Sequence, residues 1–201
     1  MTPDLLLALV AFAFVTTVTP GPNNLMLMAS GVNFGVRRTA PHIAGVTLGV
    51  VFMILVLGAG LGGVITETPA AMLAMKLASV AYMIWLAWKI ATAAPPDPAA
   101  NPAAKPGAPL TFLQAAAFQW VNPKAWAMAL TALGAYALGD GWAGVGVVAA
   151  AFLLVGPPCN LLWVAAGRRL RRLVASPVAL RRVNLAMAAL LLASLLPMLT
   201  S

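Results

Sequence analysis

At 201 residues, 62% hydrophobic and only 8% charged, with a mean hydropathy of +0.95, the chain is not a soluble globular domain, where about a quarter of residues carry charge. The net charge of +8 is not a nucleic-acid footprint, because the basic residues lie in loops between apolar spans, where charge sets orientation. A single cysteine, Cys159, excludes an internal disulfide.

Six stretches are long and apolar enough for a span, which needs about 20 residues. They are residues 5–29, 41–63, 70–92, 111–137, 142–166 and 179–199. The start, Met1-Thr2-Pro3-Asp4, has no basic region, and the apolar run continues without a cleavage signal. It is therefore expected to be a retained first helix and not a signal peptide.

The first span contains Thr19-Pro20-Gly21-Pro22-Asn23-Asn24, which cannot be uninterrupted helix. Each proline lacks an N–H, so the carbonyls of Thr16 and Val18 lose their partners four residues on. In lipid such a break is tolerated only where it is buried in protein or lines a wet cavity. Pro22 suits the first turn of a second half-helix, whose free N–H groups carry the positive end of the helix dipole. The motif is a candidate anion site inside a membrane.

The second span carries Gly45 and Gly49, then Gly58, Gly60, Gly62 and Gly63. This small-residue face suits close internal packing or a homodimer equally well. The third span ends in Tyr82-Met83-Ile84-Trp85-Leu86-Ala87-Trp88-Lys89, an aromatic and basic end fitted to an interface. Residues 93–109 hold six prolines among alanines and read as a solvated linker. The fourth span is interrupted at Gln119-Trp120-Val121-Asn122-Pro123-Lys124, where Pro123 frees the carbonyl of Gln119. The fifth contains Gly156-Pro157-Pro158-Cys159-Asn160, a third expected break, with freed carbonyls at Leu153 and Leu154.

Charge is distributed by loop. Arg37 and Arg38 lie in loop one, Lys105 and Asp97 in loop three after Lys89, and Arg168, Arg169, Arg171, Arg172, Arg181 and Arg182 around loop five. Asp4, Glu67 and Asp140 lie on the other side, with Lys76 against the pattern at a position where it can snorkel. Positive-inside reasoning places loops one, three and five in the cytoplasm and both termini outside. The linker, residues 93–110, then divides one transporter domain into two repeats, 1–92 and 111–201, of three spans each and opposite orientation. The expected fold is all-α and integral to the membrane: six transmembrane helices as two inverted repeats, each with a broken first helix. Paired breaks of this kind point to a midplane substrate site.

The candidate substrate-binding residues are Pro20, Gly21, Pro22, Asn23, Asn24, Gln119, Asn122, Pro123, Lys124 and Asn160. Lys124 sits mid-span, where an unpaired ammonium is costly, and no acidic residue lies in any span to pair with it. It reads as a ligand for a substrate carboxylate, against a structural ion pair or a snorkelling side chain. Asn122, Asn23 and Asn24 read equally as ligands or helix caps, with one of Asn23 and Asn24 expected to face the cavity. Gln119 and Asn160 are polar lining, or else helix–helix hydrogen bonds. His42, the only histidine, is a weak candidate for proton coupling, a solvated interfacial position being the stronger reading. Trp85, Trp120 and Trp126 offer a ring face to an ammonium, or anchor and pack. Cys159 reads as a small buried residue.

Two half-helix starts and one lysine favour a small anion or the carboxylate of a zwitterion. The freed carbonyls at Thr16, Val18 and Gln119 are suited to one ammonium. With no carboxylate in the spans, a neutral amino acid fits better than lysine or arginine. There is no nucleotide-binding motif, so uphill transport draws on an ion gradient. No cofactor, metal or nucleic-acid partner is expected; the partners are a small neutral amino acid and membrane lipid.

Thr19 to Asn24, Gly35, Gly45, Gly49, Lys76 with Ala81-Tyr82-Met83-Ile84-Trp85-Leu86, and Asn122-Pro123-Lys124 together resemble the LysE/RhtB family of bacterial amino-acid exporters. The resemblance covers nearly the whole chain. Within the family, Met1-Thr2-Pro3, the stretch from Trp85 to Thr92, and Phe118-Gln119 with Val121-Asn122 look closest to the cysteine/O-acetylserine exporter subgroup. The resemblance implies six helices in the bacterial inner membrane and efflux of small amino acids in exchange for protons. Some relatives carry an acidic residue where this chain has Cys159-Asn160. The alternatives are a homoserine/threonine or other neutral amino-acid exporter and, from a different class, a structural membrane subunit. An enzyme is not expected, since the spans hold no acidic dyad, no metal-ligand spacing and no Ser-His pair.

Overall fold

The computed structural model describes residues 1–61, 68–93, 107–137, 141–174 and 176–196. Among the described residues there is no β-strand. Glu67, Asp97, Lys105, Asp140, Gly62, Gly63 and most of the linker lie outside them.

Helix α1 (Pro3–Val18) starts on Thr2, whose hydroxyl accepts from the Leu5 amide, with Pro3 in the first turn. It stops at Thr19, as the prolines require. Helix α2 (Pro22–Val56) starts with Pro22 after an extended Gly21. It is bent back on itself at Gly35, whose φ of 74° and ψ of 177° favour glycine. The hydroxyls of Ser30 and Thr39 lie 2.8 Å apart, whereas nine residues of straight helix span about 13.5 Å. The two arms, 22–34 and 36–56, are therefore separate helical segments, and Arg37 and Arg38 follow the turn. A π-helical turn (Leu57–Leu61), with Gly60 at φ 92°, closes the second arm.

Helix α3 (Pro69–Ala91) is long and apolar enough to cross a membrane. Helix α4 (Phe112–Phe118) opens with a capping box between Thr111 and Gln114. It tightens into a 3-10 turn (Gln119–Val121), breaks at the extended Asn122, and resumes as α5 (Pro123–Tyr136). Helix α6 (Gly141–Leu173) follows, then α7 (Pro177–Ala193), capped by Ser176. The expected third break is corrected: α6 runs through Pro157 and Pro158 as one helix. Proline fixes φ near the helical value, so the path survives although Leu153 and Leu154 lose amide partners. The extensive packing of α6 against α2 holds it in line.

That packing uses small residues. A Cβ on Gly31 would strike the Val164 backbone, and one on Gly167 the Met28 backbone. Gly45 and Gly49 face α4: a Cβ there would come within 2.8 Å of Ala115 Cβ and Ala116 Cα respectively. Gly45 and Gly49 thus serve internal packing, as does Gly58 against Val145, whereas Gly60 faces open space. Further contacts join α3 to α7 and α1 to α6. Two buried clusters result, one around Met26, Val46, Met83, Phe118 and Leu180, the other around Leu9, Val50, Met53, Trp126 and Phe152. The outer surface stays apolar: Leu7, Leu113 and Leu154 are 70–74% exposed. A water-soluble protein of this size would not leave such a belt bare. Three helical segments, Pro22–Gly60, Pro69–Ala91 and Gly141–Leu173, are long and apolar enough to cross a membrane, and α1 is apolar but shorter.

Candidate functional site

The two broken helices meet. Asn122 caps α5, its side-chain oxygen accepting from the Lys124 amide at 3.2 Å. This places the Lys124 side chain at the start of α5, pointing across to the end of α1. Its ammonium donates to the Thr19 carbonyl at 2.7 Å, the Thr19 hydroxyl at 3.0 Å and the Pro20 carbonyl at 3.3 Å. A helix C-terminus carries partial negative charge, so a cation there is stabilised without an acidic partner. Among the described residues Lys124 has no acidic partner, and its ammonium is held by the end of α1. Gly21 makes room for it, since a Cβ would lie 2.8 Å from Lys124 Cδ.

The freed carbonyls are satisfied within the protein, which corrects the expectation that Thr16, Val18 and Gln119 are free for a ligand. The Thr16 carbonyl accepts from the Thr19 hydroxyl at 3.1 Å. The Val18 carbonyl accepts from Trp163 Nε1 at 3.1 Å. The Gln119 carbonyl accepts from the Asn122 amide at 3.2 Å. Asn24, buried, donates to the carbonyls of Thr17 at 2.9 Å and Thr19 at 2.6 Å and so caps the end of α1. The Val121 carbonyl accepts from the Ser79 hydroxyl, and the Trp120 carbonyl from Trp126 Nε1. An irregular backbone at membrane depth has to be met by protein groups in this way.

A reciprocal amide pair ties the breaks side by side. Asn23 Nδ2 donates to Gln119 Oε1 at 2.9 Å, and Gln119 Nε2 to Asn23 Oδ1 at 3.1 Å. Gln119, fully buried, also donates to the Ala115 carbonyl. Nearby, Asn160 Nδ2 donates to the Thr47 hydroxyl at 3.2 Å.

A cavity of about 460 Å³ opens between these groups. Gly21, Asn23, Asn24, Asn122, Lys124 and Asn160 line it, joined by Thr16, Thr17 and Thr47. Both Asn23 and Asn24 face it, where one was expected. Pro20, Pro22 and Pro123 shape the backbone, and Gln119 sits behind Asn23. The sequence reading missed Thr17, Thr47, Ser79 and Trp163. A hydroxyl in an apolar span was the available signal for three of them, but its partner was not. The Thr17 hydroxyl is buried and has no hydrogen-bond partner among the described residues, although it belongs to the cavity wall.

His42 lies elsewhere. It is 1% exposed, and neither ring nitrogen has a hydrogen-bond partner among the described residues. The solvated interfacial reading is therefore corrected: Pro41 stays helical, and the fold-back at Gly35 turns the imidazole inward. It faces a second cavity of about 410 Å³ with Met26, Ser30, Asn33, Leu86 and Lys89, which shares no lining residue with the first. Among the tryptophans, Trp120 and Trp126 pack edge to face at 6.0 Å, while Trp85 lies 5.1 Å from the Lys89 ammonium. Cys159 is buried as expected.

Residues 14–196 match the family model described as LysE type translocator. The chain belongs to the LysE family. A cysteine/O-acetylserine efflux protein of Escherichia coli O139:H28 is 35% identical over 195 residues, covering 96% of each chain. The protein of the same name from Escherichia coli K12 is 36% identical over 176 residues, 86% of this chain and 87% of that one. The Shigella sonnei protein of that name is 36% identical over the same shares. No solved structure matches the chain. In this LysE-family protein both helix breaks lie within the matched region, so the site belongs to the part shared with the family.

Proposed function

We propose that this chain is a secondary exporter of small neutral amino acids, cysteine and O-acetylserine foremost, working across the bacterial inner membrane by proton antiport. The carrying observation is the pair of broken helices that face one another across the 460 Å³ cavity, with Lys124 as the cation between them. The relatives' names supply the substrate class. The six spans act as two inverted repeats within one domain, with both termini outside. Support comes from how elements pair: break with break, both arms of α2 with α6, and α3 with α7. These pairings are consistent with two halves related by a pseudo-twofold axis. Asn23, Asn24, Asn122, Asn160 and Lys124 bind substrate, the lysine taking the carboxylate, while Pro20, Gly21, Pro22, Gln119 and Pro123 build the site. Among the described residues that line the cavity none is acidic, which favours a neutral substrate over lysine or arginine.

Counterflow of labelled amino acids into proteoliposomes tests this reading. The panel is cysteine, O-acetylserine, threonine, homoserine, leucine and lysine, with Lys124→Ala as control. Exchange of cysteine or O-acetylserine, lost in the variant, is expected. Threonine or homoserine as best substrate would move the assignment within the family. Lysine as best substrate would overturn the charge argument. No exchange at all would favour a structural subunit.

A further inference from the structure

Lys124 is not waiting for a carboxylate with its ammonium free. It sits in a cage of three oxygens, the carbonyl and hydroxyl of Thr19 and the carbonyl of Pro20, at 2.7, 3.0 and 3.3 Å. Three acceptors match the three N–H donors of a primary ammonium. The cage closes the negative end of α1's dipole, and Asn24 holds the Thr19 carbonyl through that oxygen's other lone pair. Thr19 and Pro20 are exposed, and their neighbour Gly21 lines the cavity together with Lys124.

We propose that this cage is the binding site for the substrate's own ammonium, and that Lys124 fills it as a tethered stand-in while the carrier is empty. The inference rests on the amino-acid exporter reading above. On entry the substrate ammonium takes the three oxygens, and the displaced Lys124 ammonium pairs with the substrate carboxylate. Proton count and net charge in the cavity are the same before and after, so no uncompensated charge is left in a poorly solvated site. A ligand with only one of the two charges fails. A bare amine must evict Lys124 and leave two cations together. A bare carboxylate draws Lys124 out and leaves the cage empty. Selection for a zwitterion thus follows without an acidic residue.

The discriminating probe is cysteamine, which has the ammonium and thiol of cysteine and no carboxylate. Its binding is read as thermal stabilisation of purified protein in detergent, with 3-mercaptopropionate as the carboxylate-only control. Two variants empty the cage differently. Lys124→Ala removes the stand-in. Gly21→Ala keeps the lysine and every cage oxygen but places a Cβ 2.8 Å from Lys124 Cδ and 3.1 Å from Nζ, which forces the side chain aside. Gly21 has an extended φ of −177°, so alanine adopts its backbone and the second variant stays informative if the first does not fold. Cysteamine is expected to bind Lys124→Ala at least tenfold more tightly than wild type, since no second cation has to be displaced, and 3-mercaptopropionate to gain nothing there. In Gly21→Ala the lysine is already out of the cage, so 3-mercaptopropionate is expected to bind at least tenfold more tightly than to wild type. Equal cysteamine affinity in wild type and Lys124→Ala, or equal 3-mercaptopropionate affinity in wild type and Gly21→Ala, overturns the proposal. Wild-type counterflow of cysteine is scored separately. Exchange without the cysteamine pattern rejects the cage alone, and the cysteamine pattern without exchange rejects the exporter reading alone.

Discussion

The amide pair between Asn23 and Gln119 offers a direct measure of how strongly the two halves are held at their breaks. The residues are 96 positions apart and exchange two hydrogen bonds, at 2.9 and 3.1 Å. Each bond contributes about 0.5–1 kcal/mol net, and interhelical bonds in membranes average near the low end. The pair should therefore couple by about 1–2 kcal/mol, roughly a 5–30-fold shift in the folded fraction. Gln119→Leu conserves volume but removes both bonds, together with the one to the Ala115 carbonyl. Asn23→Ala removes the same two bonds from the other side. In a double-mutant cycle the Ala115 bond cancels, because it is lost in both arms that alter Gln119. The assay is reversible unfolding in mixed detergent micelles followed by helical circular dichroism. Each single variant should lose about 1–3 kcal/mol, with the double variant well short of their sum. Additivity within about 0.3 kcal/mol would refute the reasoning, since independent sites add to that tolerance.

Other expectations follow from the same geometry. Gly31→Val should abolish recovery of folded protein by size-exclusion chromatography, because the Val164 backbone cannot yield to a side chain. Gly146→Ala, with open space at the new Cβ, should fold normally and gain about 0.5–1 kcal/mol of helix stability. Asn24→Ala should lower the melting temperature through about 1–3 kcal/mol of lost capping, since it takes Asn24's bond from the Thr17 carbonyl and leaves the Thr19 carbonyl to Lys124 alone. His42→Phe removes two unpartnered nitrogens from a buried position, so stability should hold or rise. If the histidine carries the proton, the variant keeps counterflow and loses uptake driven by a pH gradient; retention of both sinks that role.

The sequence by itself determined the class and the punctuation of the chain. Apolar runs of span length and a charged fraction of 8% require lipid as solvent. Prolines at 20, 22 and 123 each withhold an amide from the preceding turn, because a missing N–H is a local covalent fact. An unpaired Lys124 in an apolar span had to have a purpose, and the motifs around it pointed to the family that the comparisons then showed. Tertiary structure decided everything that depends on who meets whom. The same covalent rule that breaks the chain at Pro20 lets α6 pass through Pro157 and Pro158, because helix α2 packs along it. Of the carbonyls that looked free, that of Val18 is taken by Trp163, 145 residues away, a partner that spacing does not identify. His42 is buried because the chain folds back at Gly35, a turn that a helical pattern does not announce. Lys124 finds its partner not in an acidic side chain but in the end of another helix, 105 residues away. Backbone oxygens are present at every position, so sequence cannot say which ones a cation will choose; only the meeting of the two breaks does.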